Sequence, residues 1–340
     1  MGVSPIYWRP TDYGRFQDRS RHSPRLRSHA VTALLQVGAL MPSLEQRLAA
    51  QYDLRKLSAG PAATRLLGDC ANSIEAIASS ARAPVTAEIM DALPGLRIIA
   101  NFGVGYDNID VERARARGVV VSNTPDVLTE CVADLAIALM IDVARGVSAG
   151  DRFVRAGRWR EGPRPFATRV AGRRLGIVGL GRIGQAAARR AEAFALDIRY
   201  TGRAPKPGVP YGFEADLQAL ARWSDFLLVS ASGGENTRGL ISAAVLEALG
   251  PKGYFINVAR GSVVDEPALV AALREGHIAG AALDVFVDEP RVPEALLGLD
   301  NVVLTPHIAS ATQETREAMA QLVLDNLSDF FATGRARTPV

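Results

Sequence analysis

Cysteine is almost absent, with only Cys70 and Cys131 in 340 residues. Two cysteines cannot build a disulfide framework, and they lack metal-ligand spacing, so a reducing cytoplasm fits best. Long apolar runs are missing too. The longest candidate, Val132 to Ala144, is interrupted by Asp134 and Asp142 and falls short of the ~18 residues of a membrane span; no membrane partner is expected. A surplus of one charge is also lacking: Lys and Arg number 39, Asp and Glu 36, for a net of +3. That excess sits in residues 1–30, where Arg9, Arg15, Arg19, Arg21, Arg25 and Arg27 face only Asp12 and Asp18. The rest of the chain is close to neutral, so no nucleic-acid face is expected on the folded body. Residues 1–30 show no periodicity and read as a flexible N-terminal extension.

What is present is core material. Hydrophobic residues make up 48%, and the length suits two domains of ordinary size. Apolar runs alternate with helical patterns. Strands are expected at 31–37, 54–57, 96–101, 119–122, 175–180, 197–201, 226–230, 254–258, 280–285 and 302–304. Helices are expected at 42–52, 86–93, 111–117, from Thr129 as its cap, and at 242–249, 267–275 and 312–331. Residues 71–79 read as helix plus strand, and 157–172, with Trp159, as irregular.

The most informative stretch follows Leu175. Gly179, Gly181 and Gly184 stand at G-x-G-x-x-G spacing after a strand and at the start of a helix, and a second strand, 197–201, comes next. In that setting the pattern binds dinucleotides. Gly179 allows a tight turn, Gly181 lets a pyrophosphate approach the backbone, Gly184 lets helix and strand pack closely, and the helix N-terminus from Arg182 faces the anion. NAD sites have an Asp or Glu about 20 residues on, bonding the ribose 2′-hydroxyl. Here Thr201 holds that place, followed by Arg203 and Lys206. A hydroxyl and two cations suit a 2′-phosphate, so NADPH is expected over NADH.

Arg260, Glu289 and His307 each follow a strand end in the second half, the edge where open α/β sheets bind ligands. Only four histidines exist; His22 lies in the N-terminal arm and His277 after a helix-stopping glycine. The three residues suit reduction of a 2-keto acid. Arg260 can grip carboxylate and carbonyl oxygens with its planar fork. His307 can protonate the carbonyl oxygen as hydride arrives. An ionised Glu289 beside the imidazole favours its charged form and fixes its tautomer.

The segments NFGVGYDNID (101–110), GLGRIG (179–184), NVARGSVVDE (257–266), ALDVFVDEP (282–290) and TPHIAS (305–310) resemble the D-isomer-specific 2-hydroxyacid dehydrogenase family, in its glyoxylate/hydroxypyruvate and hydroxyphenylpyruvate reductase branch. The resemblance runs from Val31 to the C-terminus. It implies an α/β fold of two doubly wound parallel sheets with the active site in the cleft. One is a Rossmann NADP(H)-binding domain at 125–312; the other is a flavodoxin-like substrate domain at 31–124 and 313–340. It implies that Arg260, Glu289 and His307 are catalytic, and that the Val104–Gly105 backbone binds the substrate carboxylate. By the same resemblance Asp284, helped by the Val258 backbone, meets the nicotinamide amide, and Arg182 and Ile183 hold the pyrophosphate. It implies a homodimer, with Trp159 reaching the partner's substrate pocket. The loop Ala231-Ser232-Gly233-Gly234 departs from the family pattern and is expected over the adenine side, away from the chemistry. The expected activity is reduction of glyoxylate or hydroxypyruvate to the (R)-2-hydroxy acid. The alternatives are reduction of larger aryl or branched 2-keto acids and, from another class, a non-catalytic dinucleotide-sensing protein.

Overall fold

The computed structural model describes residues 32–57, 71–80 and 82–340; the expectations for residues 1–30, Val31 and Cys70 lie outside them. Twelve strands form two sheets in the described residues. The first contains β1 (Ala33–Val37), β2 (Asp53–Leu57), β3 (Ile74–Ser80), β4 (Ile98–Phe102) and β5 (Val120–Ser122) in the order β2-β1-β3-β4-β5. The second contains β6 (Arg174–Val178), β7 (Asp197–Thr201), β8 (Gly212–Phe213), β9 (Phe226–Val229), β10 (Tyr254–Asn257), β11 (Gly280–Leu283) and β12 (Val302–Leu304) in the order β12-β11-β10-β9-β6-β7-β8. Strand pairs are parallel in both sheets. The order reverses once in each, between β1 and β3 and between β6 and β9. A doubly wound sheet opens a ligand crevice there, beyond the carboxyl ends of its strands.

The sequence forms these strands because both faces are covered. All five residues of β1 and all four of β9 and β11 are buried, so continuous apolar runs replace the alternation of a half-exposed sheet. Phe226 and Phe255 are fully buried, worth about 1.5–3 kcal/mol each over exposure.

Helices cover the sheets. α1 (Pro42–Gln51) carries Pro in its first turn and turns Leu44 and Leu48 inward. α2 (Ala87–Asp91) and α3 (Val111–Ala116) are capped by Thr86 and Asp110 side chains. α4 (Thr129–Arg145) buries Val132, Ala133, Ala136, Ile137, Leu139, Met140 and Ala144, and packs on α6 (Arg182–Glu192), β10 and β11. The buried alanines of α6 permit that close approach. α7 (Leu217–Trp223), α8 (Ala243–Leu249), α9 (Glu266–Arg274) and α10 (Glu294–Leu297) complete the second sheet's surroundings. α11 (Gln313–Thr333) returns to pack on β4 and α1. The tail after it bridges Pro339 to Ser122 and gives the Val340 N–H to the Val121 carbonyl at 3.0 Å. Among the described residues no helix is long and apolar enough to cross a membrane.

Several local expectations are corrected. Residues 71–73, directly before β3, form a turn rather than a helix, favoured by Asn72 and Ser73. Thr129 does not cap α4. The cap position is Leu128, with no side-chain bond, because the turn from Asp126, at φ +68°, already offers its carbonyl to the Thr129 N–H. After Gly146, left-handed at φ +62°, the chain resumes as a further helix, α5 (Val147–Arg155). α7, α10 and β8 carry no periodicity long enough to have been read.

Candidate active site

The site begins at the end of β4. Buried Asn101 turns its amide back on the chain and donates to the carbonyls of Gly103 (3.2 Å) and Gly105 (2.9 Å). Asn123 does the same for the Val104 carbonyl at 2.9 Å. With these carbonyls tied down, the N–H groups of Val104 and Gly105 are left without a partner among the described residues, and both residues line the cavity. Such a pair of backbone donors suits an anion.

Arg260 enters from the opposite sheet, beyond β10. The Asn257 side chain donates to the Arg260 carbonyl at 3.0 Å and holds the turn. The guanidinium is fixed in two places: Nη1 donates to the Ala259 carbonyl at 2.8 Å and Nε to Asp107 Oδ1 at 3.1 Å. Nη2 lies over Gly105, where an added Cβ would come within 1.5 Å of it.

His307 follows β12 in a turn of unusual conformation, φ +54°. Fully buried Asp284 explains it. Its carboxylate accepts from Thr305 Oγ1 at 2.7 Å, the Ile308 N–H at 2.8 Å and the Ala309 N–H at 2.9 Å. Three bonds offset the burial of that charge and clamp the loop on both sides of His307. His307 Nδ1 meets Glu289 Oε2 at 2.7 Å. An ionised carboxylate only accepts, so Nδ1 carries the proton and Nε2 is left for the cavity. Glu289 Oε1 accepts the Phe286 N–H at 3.2 Å. Burial pushes the Glu289 carboxyl up, but the hydrogen bond and charge of His307, the Phe286 N–H and Arg82 outweigh it and hold it below the usual range. Arg82, beyond β3, crosses to Glu289 Oε2 at 3.3 Å and to the His307 carbonyl at 3.4 Å.

The glycine turn after β6 is built for close approach. A Cβ on Gly179, at φ +92°, would meet the Ala231 backbone at 2.7 Å, and one on Gly184 the Gly179 carbonyl at 2.4 Å. Above Gly181 there is open space, beside the first turn of α6. A pyrophosphate fits that cradle: small residues where the backbone must close on itself, none in the way where a ligand must come near. Arg182 pairs with Asp126 at 2.6 Å, which leaves its backbone N–H and that of Ile183 at the helix start. Thr201 ends β7 and is buried, while Arg203 and Lys206 are exposed. Their side chains have no ion-pair or hydrogen-bond partner among the described residues.

One cavity of about 1510 Å³ runs between these parts; Gly179, Gly181, Gly184, Thr201, Arg203, Lys206 and Glu289 are not among its lining residues. Val104, Gly105, Arg182, Ile183, Val258, Arg260, Asp284 and His307 all line it. Trp159 does not. It sits 68% exposed in a short 3-10 turn, Arg158–Arg160, outside the cavity of its own chain. The 231–234 loop corrects an expectation. Ala231 abuts Gly179, on the dinucleotide side, but a Cβ on Gly233 would stand 2.9 Å from both Arg260 Cγ and Asp107 Oδ2, so the loop braces the arginine as well. Sequence reasoning missed Asp107, Arg82 and Arg316. Arg316, on α11, lies 5.6 Å from the Phe102 ring centroid and lines the cavity; burial and the charge of Arg82 lower its pKa. Asp107 stood inside a quoted segment, but nothing local marked its partner.

The chain resembles known proteins over most of its length. Residues 137–309 match the family model described as D-isomer specific 2-hydroxyacid dehydrogenase, NAD binding domain. The chain is 46% identical over 297 residues to glyoxylate/hydroxypyruvate reductase A of Arabidopsis thaliana, covering 87% of this chain and 95% of that protein. It is 47% identical over 297 residues to hydroxyphenylpyruvate reductase of Plectranthus scutellarioides, with the same coverage. Among solved structures, the NADPH-dependent glyoxylate/hydroxypyruvate reductase of Sinorhizobium meliloti, in complex with NADP and malonate, superimposes with a TM-score of 0.87 at 47% identity, over 92% of this chain and 97% of that one.

Proposed function

We propose that this chain, which belongs to the D-isomer-specific 2-hydroxyacid dehydrogenase family, reduces glyoxylate or hydroxypyruvate to the (R)-2-hydroxy acid with NADPH, and that His307 is its general acid. The coarser activity is firm: the chain is a dinucleotide-dependent oxidoreductase that reduces 2-keto acids. The observation that carries the finer reading is convergence. Arg260 Nη2, the free Val104 and Gly105 N–H groups and the Glu289-held His307 line one cavity beside the glycine cradle.

When bound, the dinucleotide supplies hydride to the carbonyl carbon. The protein does the rest. The Val104–Gly105 turn and Arg260 bind the carboxylate, and Arg260 and His307 polarise the carbonyl. The proton on His307 Nε2 passes to the oxygen as it gains negative charge, and Glu289 steadies the imidazolium before that transfer. The glycine cradle with Arg182 and Ile183 would hold the pyrophosphate, and Val258 and Asp284 the carboxamide end.

Substrate size separates the rival readings. Arg82 and Arg316 line the cavity, and two cations in its wall favour small oxygen-rich acids over aryl ones. The likeness to hydroxyphenylpyruvate reductase keeps the larger 2-keto acids as the second reading. Initial rates with NADPH and NADH, each offered glyoxylate, hydroxypyruvate, pyruvate and 4-hydroxyphenylpyruvate, decide. NADPH oxidation with the small acids is the expected result. Preference for the aryl acid selects the second reading, and silence with every acid from protein that still binds NADPH would favour the sensing role.

NADPH preference is supported by Thr201 in place of an acid and by the unpaired Arg203 and Lys206. Arg203→Ala should raise the Michaelis constant for NADPH by roughly tenfold, the scale of one charge-assisted hydrogen bond, and leave that for NADH almost unchanged. Equal effects on both would remove Arg203 from the phosphate site.

The domain boundaries belong to the same proposal: a substrate domain at 31–124 and 313–340, supported by the packing of α11 on β4, and a cofactor domain at 125–312, supported by that of α4 on β10 and β11. So does a cytoplasmic homodimer. Val147, Val154, Trp159 and Phe166 stand exposed on and after α5, a face that a second copy would cover while bringing Trp159 to the neighbouring pocket.

A further inference from the structure

We infer that Asp107 is a positioning residue: reaching across the cleft from the first sheet, it turns the Arg260 guanidinium so that Nη2 points at the carboxylate held by Val104 and Gly105. The inference rests on the proposed role of Arg260 in binding substrate.

A guanidinium on a flexible stem can rotate about its last bonds, and a fork aimed at random loses its advantage over a point charge. Two contacts remove that freedom. Nη1 is held by the Ala259 carbonyl on its own strand end, and Nε by Asp107 Oδ1 at 3.1 Å. Both contacts together fix the plane. The side chains of Arg260 and Asp107 are only 22% and 24% exposed, so the pair is partly shielded from water and salt. Gly105 and Gly233 close around it. A Cβ on Gly105 would come within 3.0 Å of Asp107 Oδ1, and one on Gly233 within 2.9 Å of Oδ2. The carboxylate therefore has little room to swing away. What remains free on Arg260 is the Nη2 side, over Gly105, next to the two unpaired N–H groups.

The pair also joins the halves of the molecule. Asp107 follows β4 of the first sheet and Arg260 follows β10 of the second. The arginine is aimed by a residue from the other half, so the anion site is completed from both sheets.

The rival account is competition: Asp107 is itself a carboxylate and could be a stand-in that substrate must displace. The two accounts differ in sign. If Asp107 aims Arg260, removing it weakens anion binding; if it competes, removing it strengthens binding.

The test uses NADP-loaded protein, titrated with oxalate as a planar two-carboxylate probe, together with steady-state kinetics on glyoxylate. Asp107→Ala should raise the oxalate Kd and the glyoxylate KM by roughly tenfold, the scale of one lost charge-assisted hydrogen bond, with a smaller drop in kcat. Asp107→Asn keeps an acceptor oxygen at Nε and should fall between wild type and Ala. NADPH affinity and Tm should stay near wild type in the Asn variant, which separates aiming from folding. Tighter oxalate binding in either variant overturns the inference in favour of competition. Unchanged oxalate binding with a lowered Tm overturns it in favour of a structural role. Wild type that reduces no 2-keto acid sinks the reading of the site and this inference with it, whereas an active wild type with an indifferent Asp107→Ala sinks this inference alone.

Discussion

Replacing His307 should lower kcat for 2-keto acid reduction by about a thousandfold, within the 10²–10⁴ that a positioned proton donor contributes, while NADPH still binds. The choice of substitute matters. His307 sits at φ +54°, a conformation that costs most L-residues roughly 1–2 kcal/mol and that Asn tolerates better than Ala. His307→Asn is therefore the cleaner variant, since Asp284 can keep its grip on Thr305, Ile308 and Ala309. His307→Ala should lose the same turnover and some Tm as well. Initial rates and fluorescence titration with NADPH measure both quantities. A variant that keeps more than a tenth of the wild-type rate would mean that the proton comes from elsewhere.

Gly105→Ala should cost about a hundredfold in kcat/KM, the scale of a one-ångström misplacement at a reacting centre. The added methyl would lie 1.5 Å from Arg260 Nη2 and 2.5 Å from its Cζ, so the guanidinium must leave its place. Gly105 is not among the glycines with positive φ, so the backbone itself accepts alanine and the damage should stay local. Tm and NADPH affinity are expected to change little. If kcat/KM survives, Arg260 reaches the substrate from a different direction. If Tm collapses instead, the residue's main work is structural.

These two residues show what a linear reading can and cannot find. His307, Glu289 and Arg260 were legible because each follows a strand end, and a parallel sheet places successive strand ends along one edge. The glycine cradle was legible because its three glycines fall within six residues, between a strand and a helix. Gly105 was picked out, by resemblance, as a carboxylate binder; its packing under Arg260 was not. That contact, like those of Asp107 with Arg260 and Arg82 with Glu289, joins residues more than 150 positions apart. No period or local composition encodes such a contact, because it arises only when two sheets meet. Arg316 was passed over for the same reason: on α11 it is one charged residue among many until Phe102 and the cavity wall are beside it. The 231–234 loop was misjudged because the resemblance put it over the adenine side, and nothing local showed that Gly233 leaves the space that Arg260 and Asp107 occupy. The α4 cap failed for a smaller reason, since a backbone turn at Asp126 supplied what a side chain was expected to give.

Two ion pairs that cross the cleft, Asp107 to Arg260 and Arg82 to Glu289, have opposite polarity. One face offers an anion and a cation; the other offers a cation and an anion. Such a pattern works as a key. If the halves came together with partners exchanged, Asp107 would meet Glu289 and Arg82 would meet Arg260, and both contacts would repel. Attraction in the right alignment and repulsion in the wrong one give the two halves a single register, with no net charge gathered or lost at the joint.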